Sequence, residues 1–374
     1  MNTRSEEKTV FFWQSMVSPH THDLYQSLSR IPGVNVVVVS QEATSVNRKL
    51  LGWNVTSHAL YRHIIGPNSE ELGFLLNTCP AHSYHIVQGV HCALLRAVLK
   101  YFIKSNTPYS LYLEPRDFEG FLGALRRIHS ILFQISYYKK SSVIFGIGAH
   151  FSFWLSLIGI DKSKHYQFGY FIESASSSAA LTPAYNPNSK KIVYVGRFVP
   201  EKGIQSILRA ASLLDDSYSI DFIGTGPLRH KIFQSSQSLN FKCSIGLSAP
   251  LPNSRLRSIL ANYDVLLLPS TSLDDGWGVV VNEALLEGLY VLVSSKVGSS
   301  ICINKEFLGA VMESPCHNAI VHELHKFYNS NYVLPDHRSQ RRAWANHYLS
   351  PSRAAKNMIA RLDGDRRMSS FLVP

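Results

Sequence analysis

Two basic residues beside one predicted strand could hold a diphosphate. The run VYVGRFVPEKGI, residues 193–204, predicts a strand that ends at Gly196, followed by Arg197 and then by Lys202 in the first turn of a helix. Arginine forks onto two oxygens, lysine adds a compact charge, and the start of a helix is electropositive. These groups could bind a diphosphate without a metal. The alternative is a surface turn with incidental charges.

Two carboxylates eight residues apart could accept hydrogen bonds from sugar hydroxyls. In DDGWGVVVNEALLEG, residues 274–288, Asp275 lies in a loop and Glu283 about one turn into the following helix. Gly276 and Gly278 let the backbone approach a ligand closely. Apolar neighbours on both sides of Glu283 indicate a mostly buried helix rather than a solvated one.

Apolar runs that alternate with helical stretches must position these residues, and they predict parallel sheets buried on both faces. The expected fold is α/β with two doubly wound, Rossmann-like domains that face a central cleft, where ligands bind at the carboxyl ends of strands. The predicted boundaries are an N-terminal domain at 1–173, a small-residue linker at 174–190, a C-terminal domain at 191–335, and C-terminal helices at 336–374 that pack back on the N-terminal domain.

Four ordered motifs carry a resemblance to a known family. VGRFVPEKGI, FIGTGP, DVLLLPS and DGWGVVVNEALLEG resemble the C-terminal domain of retaining glycosyltransferases of family four, also called glycosyl transferases group 1, which have the GT-B fold. The resemblance covers residues 192–298. It implies a nucleotide diphosphate sugar, such as a UDP- or GDP-sugar, as the donor substrate. It also implies that the C-terminal domain at 191–335 binds this nucleotide sugar and that the N-terminal domain at 1–173 binds the acceptor.

The resemblance also implies roles for individual residues. Arg197 and Lys202 bind the donor diphosphate and stabilise the leaving group, and Glu283 holds the ribose hydroxyls. Asp275 lies beside the transferred sugar and joins the two cations as a catalytic residue. The other donor-site residues are Gly196, Gly224, Gly276, Trp277 and Gly278, the last three through their backbone amides.

One departure from the family pattern concerns the first carboxylate of its Glu-x7-Glu motif. That position is Asp275 here, which keeps the charge but moves it by about the length of a methylene. The shorter side chain could alter the preference for the donor sugar. The neighbouring Asp274 could compete for the same role.

Acceptor-binding candidates come from the N-terminal half. His20 and His22 follow the first strand, and either they bind acceptor hydroxyls or phosphate or they are inert surface histidines. Glu114 and Asp117 lie in a charged loop after another strand, for which an acceptor role and a solvated turn are both open. Residues 168–171, FGYF, are expected to form a loop on the hinge side rather than to take part in catalysis.

A basic and apolar stretch offers a second kind of contact. Residues 121–140 mix aliphatic and aromatic side chains with Arg126, Arg127, Lys139 and Lys140 and contain no acid. Such a helix suits peripheral contact with an anionic membrane. An ordinary solvated helix face is the alternative.

The predicted reaction transfers a sugar, with retention at the anomeric carbon, to a hydroxyl of a glycan or lipid-linked glycan. It belongs to the hexosyltransferase class and to cell-surface polysaccharide or glycolipid assembly. No cofactor is expected and no metal site, because the two cations replace a metal and no metal-binding motif stands in a fitting place. The alternatives are a catalytically weak binding or scaffold protein with the GT-B fold, and a sugar-nucleotide isomerase on the same fold.

The net charge of the chain indicates the chemical class of its partner. The 374 residues include 37 Lys and Arg against 26 Asp and Glu, a net charge of +11. This excess predicts an anionic partner. Nucleic acid is not expected, because the chain lacks the aromatic and basic stripe of RNA-binding proteins.

Cysteine usage and the N-terminus indicate the compartment. Five cysteines without a CxxC pair are typical of a reducing environment. The N-terminus is acidic where a signal peptide is basic. Residues 141–160 are apolar enough to span a bilayer, but their glycines and His150 favour a buried strand and helix. We therefore expect a cytoplasmic protein that also works at the inner face of the cell membrane.

Overall fold

The chain divides into two compact units, which are described separately. The computed structural model describes residues 7–44, 59–80, 82–174, 186, 188–238, 240–273 and 276–372. Unit 1 comprises residues 1–173 and 350–374, and unit 2 comprises residues 174–349. The segment 336–374 was predicted to pack as a whole on the N-terminal domain. It is divided after Leu349 instead, so its first helix belongs to unit 2. The functional roles assigned to the domains stay predictions.

Unit 1 is built on a seven-stranded parallel sheet in the order β3-β2-β1-β4-β5-β6-β7. The chain order reverses between β1 and β4, which makes this pair the topological switch point. The apolar strands form because both faces are covered: residues 10–13 are all at most 5% exposed. The strands are β1 Lys8–Gln14, β2 Val34–Ser40, β3 Arg62–Ile65, β4 Ser83–Gln88, β5 Ser110–Leu113, β6 Ile144–Ile147 and β7 His165–Phe168.

In the described part of unit 1, seven helices cover or flank this sheet. The last of them, α13, packs against α1 after the chain returns from unit 2. An ion pair of 2.6 Å between Lys8 and Asp363 joins the start of β1 to the residue after α13. The helices are α1 Pro19–Ser29, α2 Ser69–Asn77, α3 Ala93–Ser105, α4 Gly120–Phe133, α5 Ile135–Lys140, α6 Phe151–Leu157 and α13 Pro351–Leu362.

Unit 2 contains a six-stranded parallel sheet in the order β10-β9-β8-β11-β12-β13. Its switch point lies between β8 and β11, where a doubly wound sheet binds its ligand. The strands are β8 Lys190–Val195, β9 Tyr218–Ile223, β10 Ser244–Ser248, β11 Val265–Leu268, β12 Tyr290–Ser294 and β13 Gly309–Met312. The helices are α7 Ile204–Ala211, α8 Arg229–Ser236, α9 Asn253–Leu260, α10 Val280–Leu286, α11 His317–Tyr328 and α12 Pro335–Tyr348.

Several local expectations meet a definite outcome. The apolar stretch 141–160 folds as strand β6 and helix α6, as its glycines predicted. Within the described parts of the chain, no helix is both long and apolar enough to cross a membrane. The single helix expected over residues 121–138 is broken at Gln134 into α4 and α5. Strand β3 was not predicted, because its residues RHII lack an apolar period.

Candidate functional site

The carboxyl end of strand β8 fixes the backbone of Arg197. The Gly196 N–H donates to the Ile223 carbonyl at 3.1 Å, and the Arg197 carbonyl accepts from the Tyr194 hydroxyl at 2.8 Å. Gly224 has a φ of +153°, and a Cβ there would lie 1.9 Å from the Gly196 carbonyl oxygen. Gly224 therefore lets the carboxyl ends of β8 and β9 meet, and Arg197, which follows Gly196, is exposed.

Lys202 lies in a 3-10 turn, Pro200–Lys202, that packs on the loop after β11. Its side chain is only 7% exposed. The Thr271 N–H donates to the Glu201 carbonyl at 2.8 Å. Gly203 has a φ of +73°, and a Cβ there would lie 2.1 Å from the Pro269 carbonyl oxygen. The turn that carries Lys202 thus contacts the β11 loop directly at the switch point of unit 2.

The glycine-rich loop before α10 is held by its own backbone and by a buried tryptophan. The carbonyls of Gly276 and Trp277 accept from the N–H groups of Gly298 and Ser299 at 2.7 and 2.8 Å. The Trp277 indole is 1% exposed and donates to the Asn282 side chain at 2.8 Å. The Gly276 N–H donates to the Leu273 carbonyl at 3.3 Å. Binding of the donor substrate by the backbone amides of Gly276, Trp277 and Gly278 stays a prediction.

Glu283 lies in the first turn of α10 and is buried, with 4% of its surface exposed. Burial raises the pKa of its carboxyl group to about 7, while the charge of Arg257 and a hydrogen bond with Asn253 act in the opposite direction. A carboxyl group with this pKa exchanges its proton near neutral pH. It can accept hydrogen bonds from two hydroxyls of a bound ligand when ionised.

Helices α9 and α12 support the position of Glu283. Asn253 and Arg257 lie in α9, and sequence reasoning did not select them. The order of the elements could have indicated these two residues, because α9 directly precedes β11 and therefore flanks α10. At the other end of α10, the buried Arg338 and Arg341 donate to the carbonyls of Glu287 and Gly288 at 3.1 and 2.7 Å. Cations at the carboxyl end of a helix stabilise it.

Asp275, the predicted partner of Glu283, lies outside the described residues, as does Asp274. The choice between them stays open. Among the residues that are described, no three His, Cys, Asp or Glu side chains lie together as a metal site would require.

In unit 1 the structure connects two of the four acceptor candidates. The rings of His20 and Tyr170 lie 5.9 Å apart, and Tyr170 shares a hydrogen bond with Glu114. Burial lowers the pKa of His20 to about 4, so its ring is neutral at pH 7. Burial and the charge of Glu114 hold the pKa of Tyr170 well above its ordinary value. Tyr170, expected only in a hinge-side loop, therefore joins His20 to Glu114.

The other two acceptor candidates have structural partners. The His22 Nδ1 atom lies 2.9 Å from the Tyr61 hydroxyl. Asp117 pairs with Arg126 at 2.9 Å and accepts from the Glu119 N–H at 3.0 Å. These contacts of Asp117 stabilise the loop that leads into α4. Acceptor binding by these residues stays a prediction.

The chain is similar to known proteins in its second half by sequence and over nearly its whole length by fold. Residues 182–346 match the family model of Glycosyl transferases group 1. Over 113 residues the chain is 34% identical to TuaC of Bacillus subtilis (strain 168). That stretch covers 30% of this chain but 26% of TuaC, so the chain spans about a quarter of that relative.

Solved structures resemble nearly the whole chain. HepE of Anabaena, solved with UDP, has a TM-score of 0.69 at 12% identity and covers 96% of this chain and 100% of its own. WaaB, a lipopolysaccharide outer core galactosyltransferase, has a TM-score of 0.67 at 14% identity and covers 95% and 99%. The two parallel sheets are those of the GT-B fold, which confirms the predicted fold class. Residues 182–346, which lie within unit 2, are similar to glycosyl transferases group 1.

Proposed function

We propose that this protein is a retaining, metal-independent hexosyltransferase that uses a nucleotide diphosphate sugar. The observation that carries the proposal is the contact between the Lys202 turn and the β11 loop. It brings Arg197 and Lys202 to the same carboxyl edge of the sheet as the loop that leads into the helix of Glu283. That edge is where doubly wound sheets bind nucleotides.

The chemistry follows from the charges at this edge. Breaking the glycosidic bond leaves negative charge on the diphosphate, and Arg197 with Lys202 stabilises that charge as it develops. The exposed guanidinium can fork onto two phosphate oxygens, while the buried ammonium supplies a fixed charge. The departing phosphate takes the acceptor proton on the same face, so no protein base is assigned. Glu283 binds the ribose hydroxyls and Asp275 lies beside the transferred sugar.

The substrates we propose are a UDP- or GDP-sugar and a hydroxyl of a glycan or lipid-linked glycan. HepE is solved with UDP and with UDP-glucose, which supports a uridine nucleotide donor. WaaB is named for the lipopolysaccharide outer core and TuaC for teichuronic acid biosynthesis, which supports a cell-surface glycan as the product. We place the enzyme in the cytoplasm, in peripheral contact with an anionic membrane.

Titration calorimetry with UDP and GDP, and donor-dependent nucleotide release from a panel of UDP- and GDP-sugars, test this proposal. We expect Arg197→Ala to weaken nucleotide binding roughly tenfold to a hundredfold, the loss of a hydrogen bond to a charged group. Arg209→Ala removes an exposed arginine of α7 in the same unit and should change neither quantity. If binding and nucleotide release both survive Arg197→Ala, the transferase assignment is wrong.

A further inference from the structure

Helix α4 turns its apolar side chains outward. Its buried residues are the small Gly123 and Ser130. Phe121 is 79% exposed and Leu132 67% exposed, although large apolar side chains normally form the core of a soluble domain. The exposed large apolar side chains of α4 are Phe121, Leu122, Leu125, Ile128, Ile131, Leu132 and Phe133.

The packing of α4 fixes this orientation. At 100° per residue the apolar side chains occupy an arc of about 200° opposite Gly123 and Ser130, and Arg126 and Arg127 stand on either side of the packed face. A Cβ on Gly123 would lie 2.1 Å from the Phe118 carbonyl carbon, so only glycine allows this close approach. The Ser130 hydroxyl bonds to the Gln134 side chain at 3.1 Å. The helix is therefore attached by its small and polar side, with the apolar arc facing solvent.

Basic residues adjoin the carboxyl end of this apolar arc. Lys139 and Lys140 end α5, which follows α4 directly, and both are exposed. The Lys164 ammonium donates to the carbonyls of Lys139 and, at 2.9 Å, of Ser141. A cavity of about 560 Å³ lies beside them, and its cationic lining residues include Lys162, Lys164, Arg361 and Arg366.

We propose that α4 is the membrane-docking element of this protein and lies in the surface of an anionic bilayer. Its 14 residues are about 21 Å long, too short to span the hydrocarbon core, so the helix lies in the interface with its apolar arc among the acyl chains. Lys139 and Lys140, together with the exposed Lys162 and Arg366 of the cavity, bind the phosphates of the lipid headgroups.

The charges favour a lipid surface over a second copy of the chain. A second copy of this surface would carry the same exposed cations, Arg127, Lys139 and Lys140, and like charges across an interface are unfavourable. An anionic bilayer neutralises them. The inference deepens the membrane contact proposed above, and docking can be measured without glycosyl transfer, so either proposal can fail alone.

Flotation of the full chain with vesicles tests the docking element. We expect binding to vesicles of phosphatidylcholine mixed with phosphatidylglycerol at low salt, and weaker binding to phosphatidylcholine alone. The combined variant Phe121→Gln, Leu132→Gln and Phe133→Gln should reduce the partition coefficient at least about tenfold. The matched control replaces two phenylalanines and one leucine that are also exposed but lie elsewhere: Phe74→Gln, Leu213→Gln and Phe233→Gln.

Charge reversal tests the contribution of the cations separately from that of the apolar arc of α4. Lys139→Glu with Lys140→Glu should remove the preference for anionic vesicles, whereas Lys231→Glu with Lys242→Glu, exposed lysines of unit 2, should leave it. Each variant is first checked for native circular dichroism. The proposal is overturned if the wild-type chain floats with neither vesicle, or if the α4 variant floats as well as its control. It is also overturned if light scattering shows a dimer that the α4 variant dissociates while vesicle binding is unchanged.

Discussion

The buried carboxyl group of Glu283 should make the protein less stable as the pH rises from about 4.5 to about 7. Its pKa is raised from 4.5 to about 7 in the folded protein, first by burial. Between these values the unfolded chain has released the proton and the folded chain retains it. The unfolded state therefore binds fewer protons, and the free energy of unfolding falls as the pH rises.

The magnitude follows from the size of the pKa shift. Each pH unit in this window costs about 1.4 kcal/mol, so the contribution lost between the two pKa values is roughly 3 kcal/mol. Glu283→Gln keeps the shape of the side chain and carries no titratable proton. Relative to the wild-type chain, this variant should gain roughly 3 kcal/mol between about pH 4.5 and about pH 8. Under the proposed function it should also bind UDP more weakly, because an amide replaces the charged acceptor of the ribose hydroxyls.

Urea unfolding across this pH range measures the difference. Glu313→Gln, which changes an exposed glutamate of the same unit, is the control and should follow the wild-type curve. If the free energies of unfolding of Glu283→Gln and the wild-type chain run parallel over the whole range, the buried carboxyl group does not titrate as argued. A gain in stability without any loss of UDP binding would retain the burial argument but remove Glu283 from the donor site.

Two further substitutions test the turn and the first carboxylate. Gly203→Ala places a methyl group 2.1 Å from the Pro269 carbonyl oxygen at a φ of +73°. We expect the free energy of unfolding, measured by urea titration, to fall by roughly 1–3 kcal/mol. UDP binding, measured by calorimetry, should also weaken. Gly364→Ala also has a positive φ but meets no atom within 4 Å, and an equal loss there would show that the contact with Pro269 is unimportant. Asp275→Glu restores the usual family residue and should change the relative rates with different UDP-sugars while the affinity for UDP stays constant. Unchanged sugar preference would contradict a position beside the transferred sugar.

Features that depend on neighbouring residues were predictable. Strand β2, Val34–Ser40, has the bounds that the local sequence indicates, because its apolar run lies between Pro32-Gly33 and polar residues. The turn around Gly203 and the α10 loop also follow from local glycine chemistry. Helix α4 was predicted as one piece with α5, because the helical spacing continues through Gln134 and the break there depends on packing.

The acceptor side shows where such reasoning ends. His20 and Glu114 are 94 positions apart, and Tyr170 joins them from a third strand end. Nothing in the local sequence around Tyr170 indicates these contacts. The ion pair between Asp117 and Arg126 in α4 is likewise a contact that the local sequence does not indicate.

The GT-B assignment came from the resemblance of four motifs to a known family, and Lys202, expected in the first turn of a helix, lies in the 3-10 turn before α7. Three other features could be predicted from the residues alone: the alternation of strands and helices, the place of Arg197 after a strand, and the place of Glu283 near the start of a helix. These features follow from periodicity and backbone preference over a few residues. Three further features depend on tertiary packing: the Lys202 turn contacts the β11 loop, burial raises the pKa of Glu283, and α4 presents its apolar side to solvent. Burial and long-range contact depend on which faces of the elements pack together, and identical local patterns are compatible with several such packings.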